Sequence, residues 1–263
     1  MKRALVLGPG GVVGTAWLAG LAVGLRRAGV DLAEADMIVG TSAGAIVGAM
    51  LATGENLDRL ATFTRSRNSA AADPGRLAEV FATLGDPTLD QGEKLRRVGK
   101  VALTADVAPE QTHLDRTAAL ITARDWPEQP LLITAVNTET GEPVVWDQGG
   151  DAPLLSAVAS SYAVPGLYPP ITINGHRYMD GAFRAGAGAD LAADADTVVV
   201  IEPLGHLFPS GAPLSIAPDQ VTLEVFGPDL HDTSAWEASY QAGIRQATPA
   251  AERIGGSWNG TAD

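Results

Sequence analysis

Gly40-Thr41-Ser42-Ala43-Gly44 sets one serine hydroxyl among small residues. The apolar run Asp36-Met37-Ile38-Val39 precedes it, and Ala45-Ile46-Val47-Gly48-Ala49-Met50-Leu51 follows. A strand ending at Gly40 and a helix beginning just after Ser42 would turn this Gly-x-Ser-x-Gly into a nucleophile elbow. In such a turn the hydroxyl stands above a sheet, and the helix N-terminus beneath it favours developing negative charge. The chemistry would be attack on an acyl carbonyl. The same residues also fit a tight turn in which Ser42 is an ordinary helix cap. The pattern by itself leaves both readings open.

A serine nucleophile needs donors for an oxyanion and a base for its proton. Gly10, Gly11 and Val12 follow a first apolar run, and a glycine-rich turn can point successive backbone N–H groups into one concavity. A phosphate-binding loop or a plain tight turn would also use such glycines. The dinucleotide fingerprint is not met, because Val13 stands where its third glycine belongs and Gly14 comes one residue late; there is also no Gly-Lys-Ser/Thr. For the base, His206 and His231 follow the elbow in chain order, but each lies in a loop without a supporting motif. Asp180, followed by Gly181 and Ala182, is better placed at the end of a hairpin. A carboxylate held in a poorly solvated pocket has a raised pKa and can serve as base. Asp180 could equally be a turn aspartate bonding its own backbone.

The elements that must position these groups follow from apolar runs and their punctuation. Ala4-Leu5-Val6-Leu7 is a buried strand ended by Gly8-Pro9-Gly10-Gly11, and a helix is expected from about Gly14 to Ala28. Asp36–Val39 is the second strand and Ala43–Ala52 the helix after it, so strand-helix-strand-helix implies parallel strands. Residues 55–129 carry helical patterning: Leu57–Arg67, Gly75–Leu84, Gln91–Ala102 and Thr112–Thr122. Leu131–Thr138 and Pro143–Asp147 form a hairpin, and Leu154–Tyr162 is helical. Asn174-Gly175 between Ile171–Ile173 and His176–Met179 is the strongest hairpin signal in the chain. A helix near Gly188–Ala193, a strand at Thr197–Ile201, a loop over 203–218, a last strand at Val221–Phe226 and a last helix at Thr233–Gln246 complete the reading, with Gly255–Asp263 frayed.

Composition narrows the partners. With 263 residues, 46% of them hydrophobic, the chain can bury a substantial core, and no internal repeat or linker divides it. A net charge of −13 argues against nucleic acid as a partner and against anionic membrane surfaces. There is no cysteine, hence no disulfide, thiol chemistry or cysteine zinc site, and the four histidines lack metal-ligand spacing. The uncharged stretch from Ala4 to Leu25 could be taken for a signal peptide or membrane span, but its six glycines and Pro9 fit a strand, loop and helix better. The corresponding expectations are a cytoplasmic chain without a targeting segment, with no metal, no cofactor and no stable protein partner.

Together, Gly10-Gly11 with Gly14, Gly40 to Gly44 and Asp180-Gly181-Ala182 resemble the patatin-like phospholipases in order and spacing. The block Ser161-Tyr162-Ala163-Val164-Pro165-Gly166-Leu167-Tyr168-Pro169-Pro170 is similar to the segment that commonly precedes the aspartate in that family. The resemblance runs from about residue 3 to 202. It implies an α/β fold, a mostly parallel central sheet between helices with a helical cap inserted after the nucleophile helix, and one domain over 1–263. It also implies a Ser42–Asp180 dyad without histidine, an oxyanion hole from Gly10, Gly11 and Val12, and hydrolysis of lipid or other acyl esters, with transient contact to a membrane surface. An acyltransferase using the same acyl-enzyme, or a non-catalytic lipid-binding relative, would share these motifs. Two positions depart from the family pattern. Pro9 replaces the first glycine of its loop and has no N–H to donate; Val13 replaces a basic residue and removes a charge that would meet an anionic head group.

Overall fold

A computed structural model describes residues 1–62 and 74–260. Its core is a mixed sheet whose strands are β1 (Arg3–Leu7), β2 (Met37–Gly40), β3 (Leu131–Asn137), β4 (Pro143–Trp146), β5 (Ile171–Ile173), β6 (His176–Asp180), β7 (Thr197–Ile201) and β8 (Ser215–Ile216). They lie in the order β5-β6-β3-β2-β1-β7-β8, and β4 pairs with β3 outside that path. The pairs β1–β2, β1–β7, β2–β3 and β7–β8 are parallel; the hairpins around β3, β5 and β6 are antiparallel. The central strands are short, apolar and almost fully buried (Leu5, Val6, Ile38, Val39, Ile133 and Val199 among them), as expected for strands covered on both faces.

Helices flank the sheet: α1 (Gly11–Arg27), α2 (Ala43–Ala52), α3 (Pro74–Gly85), α4 (Gln91–Thr104), α5 (Glu110–Leu120), α6 (Leu154–Ser161), α7 (Ala182–Ala185), α8 (Gln220–Phe226) and α9 (Trp236–Trp258). The α/β class, the mostly parallel sheet and the helical stretch between α2 and β3 agree with expectation. The Asn-Gly hairpin does too: Asn174 and Gly175 both have positive φ (52° and 80°), as a type I′ turn requires.

Several boundaries differ, each for a physical reason. The first helix begins at Gly11 rather than near Gly14, so the glycine turn flows into its first turn. Val221–Phe226 is not a strand but lies in α8: Asp219 caps that helix by accepting from the Thr222 N–H (2.8 Å), and Arg245 grips the same carboxylate through two hydrogen bonds. Cap and clamp stabilise a helical turn that the β-branched residues by themselves disfavour. Leu57–Leu60 is a 3₁₀ turn, and the rest of the helix expected to Arg67 falls outside the described residues from 63 on. Near Gly188 the chain forms only the 3₁₀ turn Ala189–Ala192. The last helix does not stop at Gln246 or fray at Gly255; it runs to Trp258, which is fully buried and donates its indole N–H to the Asp31 carbonyl (2.9 Å). Residues 261–263 of the expected frayed end are outside the described residues.

Candidate active site

The chain leaves β2 at Gly40, turns at Thr41-Ser42 and enters α2 at Ala43. Ser42 takes φ 55° and ψ −115°, a conformation that costs a non-glycine residue free energy and persists only where its surroundings enforce it. The enforcement is visible. The Thr41 N–H donates to the Leu7 carbonyl (3.0 Å) and the Gly44 N–H to the Gly8 carbonyl (3.2 Å), tying the turn to the end of β1. A Cβ at Gly44 would run into the Leu7 backbone, so α2 can start this close to β1 only with glycine there. The Thr41 hydroxyl meets the Thr134 hydroxyl of β3 (2.8 Å). Ser42 has no side-chain cap bond to its own helix, so the plain-cap reading does not describe it.

Asp180 is the last residue of β6, where it stands opposite Ala135 of β3. Its carboxylate is fully engaged. Ser42 Oγ donates to Asp180 Oδ2 at 2.7 Å, and the Ala182 N–H donates to Oδ1 at 2.8 Å. Both partners are buried: Ser42 is 4% exposed and Asp180 2%. Burial pushes the Asp180 carboxyl up from 3.8 to about 7, against the opposing pull of the Ala182 and Ser42 hydrogen bonds. Gly181 follows with its backbone against Thr134 of β3, where a Cβ would collide with the threonine.

The glycine turn lies beside this pair. Gly10 precedes α1, Gly11 and Val12 open it, and Gly11 has φ 63°, which a glycine adopts at no cost. First-turn N–H groups of a helix have no intrahelical acceptor. Gly10 and Gly11 line a cavity of about 560 Å³ together with Ser42 and Asp180. The Val12 N–H, expected to face the same space, instead donates to the Leu230 carbonyl (2.8 Å), and the Val13 N–H donates to that oxygen as well (3.2 Å). Pro9 lines the cavity, whereas Val13 is buried within α1.

The cavity walls are apolar: Phe81 and Leu84 from α3, Phe183 from α7, Leu204 and Phe208 from the loop after β7, and Val164. Two of them also reach solvent, Phe81 at 62% exposure and Phe208 at 69%. His231 lines the cavity too, edge-on to Tyr168 (ring centroids 6.2 Å apart), while His206 is exposed in the loop after β7. The serine's hydroxyl is therefore bonded to a carboxylate, and His231 lines the same cavity. The contributions of Leu230, His231 and Phe183 carry no local sequence signal, since each depends on contacts with distant segments. Among the described residues no helix is long and apolar enough to cross a membrane.

Comparison with known proteins agrees with the family resemblance. The model of the patatin-like phospholipase family matches residues 5–193, and the chain belongs to that family. Uncharacterized NTE family proteins of Mycobacterium tuberculosis and Mycobacterium bovis are 29% identical over 199 residues, covering 72% of this chain and 47% of theirs. The chain thus spans about half the length of the curated relatives it matches. Among solved structures, it is similar to the type III effector ExoU of Pseudomonas aeruginosa (TM-score 0.45, 16% identity, 95% of this chain and 53% of that one). It is also similar to VipD from Legionella pneumophila (TM-score 0.43, 14% identity, 76% and 49%).

Proposed function

We propose that this chain is a serine acyl-ester hydrolase acting on lipid esters, with Ser42 as nucleophile and Asp180 as its base. The observation that carries the reading is the 2.7 Å hydrogen bond from Ser42 Oγ to a buried Asp180 carboxylate, both residues lining a largely apolar cavity. The carboxylate and the hydroxyl are already in proton-transfer contact. A carboxyl group pushed up to about 7 is a far better base than an ordinary one and is still ionised in a substantial fraction of molecules near neutrality.

The reaction would run in two halves. Ser42 Oγ bonds to the ester carbonyl carbon as Asp180 takes its proton, and the carbonyl oxygen becomes an anion facing the Gly10 and Gly11 amides at the start of α1. Collapse of that intermediate breaks the bond to the alcohol, which leaves with the proton held by Asp180. Water then gives its proton to Asp180 and attacks the acyl-serine, releasing the fatty acid and returning the proton to Ser42. Each oxyanion donor contributes roughly 3–4 kcal/mol in comparable sites. The apolar walls suit an acyl chain. Incubation with p-nitrophenyl esters and phospholipids tests the assignment: the wild-type chain releases fatty acid, and Asp180→Asn loses about 10²–10⁴-fold in rate. An Asp180→Asn protein as active as wild type would remove Asp180 from the mechanism.

A further inference from the structure

We infer that Ser161 is a positioning residue that fixes the nucleophile and the base relative to one another; this rests on the Ser42–Asp180 reading. Ser161 is the last residue of α6 and fully buried. Its hydroxyl oxygen accepts the backbone N–H of Ser42 at 2.9 Å. Its carbonyl, one of the four that a helix end leaves without an intrahelical donor, accepts the N–H of Gly181 at 3.1 Å. Two residues on, the Ala163 carbonyl accepts the N–H of Asp180 itself at 3.1 Å. One short segment therefore holds the elbow with a side chain and the base with its backbone. No other residue among those described is hydrogen-bonded to both the Ser42 backbone and the segment that carries Asp180.

The hydroxyl matters because of the backbone it holds. Ser42 sits at φ 55°, where the chain relaxes unless its neighbours prevent it. The Ser42 N–H is buried, so losing its acceptor leaves an unsatisfied donor at the strained residue. The cheapest relief is a rotation of the elbow, which carries Ser42 Oγ away from Asp180 Oδ2. Ser161 does not itself line the cavity, and its bond to Ser42 is to the backbone N–H, so its loss is expected to act on kcat rather than on substrate binding.

Ser160 supplies the control. It is the adjacent serine, equally buried, and its hydroxyl donates to the Ala157 carbonyl (2.8 Å) and accepts from the Trp146 indole (3.2 Å), with no bond to the dyad. Both Ser160→Ala and Ser161→Ala remove one buried hydroxyl from the end of α6. The expected result on a p-nitrophenyl ester is a fall in kcat on the order of 10- to 100-fold for Ser161→Ala, with KM within about twofold of wild type. Labelling of Ser42 by a fluorophosphonate slows by a similar factor, and Ser160→Ala stays near wild type in both. Ser161→Cys keeps a weaker acceptor in the same place and falls between wild type and Ser161→Ala; should the alanine variant fail to fold, the cysteine variant decides. Wild-type kcat in folded Ser161→Ala or Ser161→Cys, with Ser42→Ala inactive, overturns the inference and leaves the dyad standing. Equal losses in Ser160→Ala and Ser161→Ala also overturn it. Wild-type activity in Ser42→Ala instead removes the reading beneath it.

Discussion

If Asp180 is the base, as proposed, activity and stability are tied together through its titration. Its carboxyl is moved by burial from 3.8 to about 7, which corresponds to roughly 4 kcal/mol less favourable ionisation in the folded chain. The folded value lies above the unfolded one, the reverse of the usual salt-bridged carboxylate. Between these two values the folded state binds more protons than the unfolded state, so the stability owed to this group falls as pH rises. The penalty is absent below about pH 4 and complete above about pH 7. Asp180→Asn keeps the shape and can keep one oxygen on the Ala182 N–H while its amide faces Ser42 Oγ. It should therefore be more stable than wild type at pH 8, by as much as about 4 kcal/mol and by less where the site relaxes. The difference should shrink toward zero by pH 4, because a neutral acid and a neutral amide bury at similar cost. Urea titrations of the two proteins at pH 8, 6 and 4.5 read this directly. In parallel, kcat/KM of the wild type on an uncharged ester should rise through an apparent pKa near 7 and fall to about 1% of its plateau at pH 5. An acid limb near pH 4, together with an Asn variant that is less stable at every pH, would refute the claim that Asp180 is a desolvated base.

Three further outcomes follow from the same geometry. Gly181→Ala drives a methyl group into the Thr134 side chain and backbone, so it should cost at least about 3 kcal/mol and lower the melting temperature by roughly 6–12 °C, measured by circular dichroism. Phe208→Ser exposes little new surface, since Phe208 is already 69% exposed, yet it removes a cavity wall. KM for long-chain p-nitrophenyl esters should therefore rise by about tenfold while the melting temperature stays within a degree or so. His206→Ala should keep wild-type hydrolysis, because His206 is exposed and outside the cavity lining; a loss comparable with that of Asp180→Asn would restore a histidine to the mechanism.

Much of this site is legible in the sequence because its parts are local. β1, β2 and β7 are short apolar runs, the first two closed by glycine, and such runs suit strands covered on both faces. Ser42 is flanked by the small residues that its turn demands, and Asn174-Gly175 announces the hairpin that delivers Asp180. What escapes is long-range. Nothing around Val221 says that Arg245 will clamp the Asp219 cap and make a helix of a β-branched stretch. Nothing near Val12 says that Leu230, far along the chain, will take its N–H. Ser161 stands in a block that resembles the family, yet its bond to the Ser42 backbone exists only once α6 and α2 are packed side by side. Trp258 reads as part of a frayed end until α9 is seen carrying it back onto Asp31.

The central claim is that Ser42 carries out the chemistry. The most direct measurement is intact-protein mass spectrometry after exposure to a fluorophosphonate, with peptide mapping of the adduct and parallel ester assays of Ser42→Ala. The account predicts one adduct on Ser42, none on the Ser42→Ala protein, and loss of esterase activity in both the labelled wild type and the folded variant. An unlabelled Ser42 in active protein, or a folded Ser42→Ala that hydrolyses esters at the wild-type rate, would contradict it.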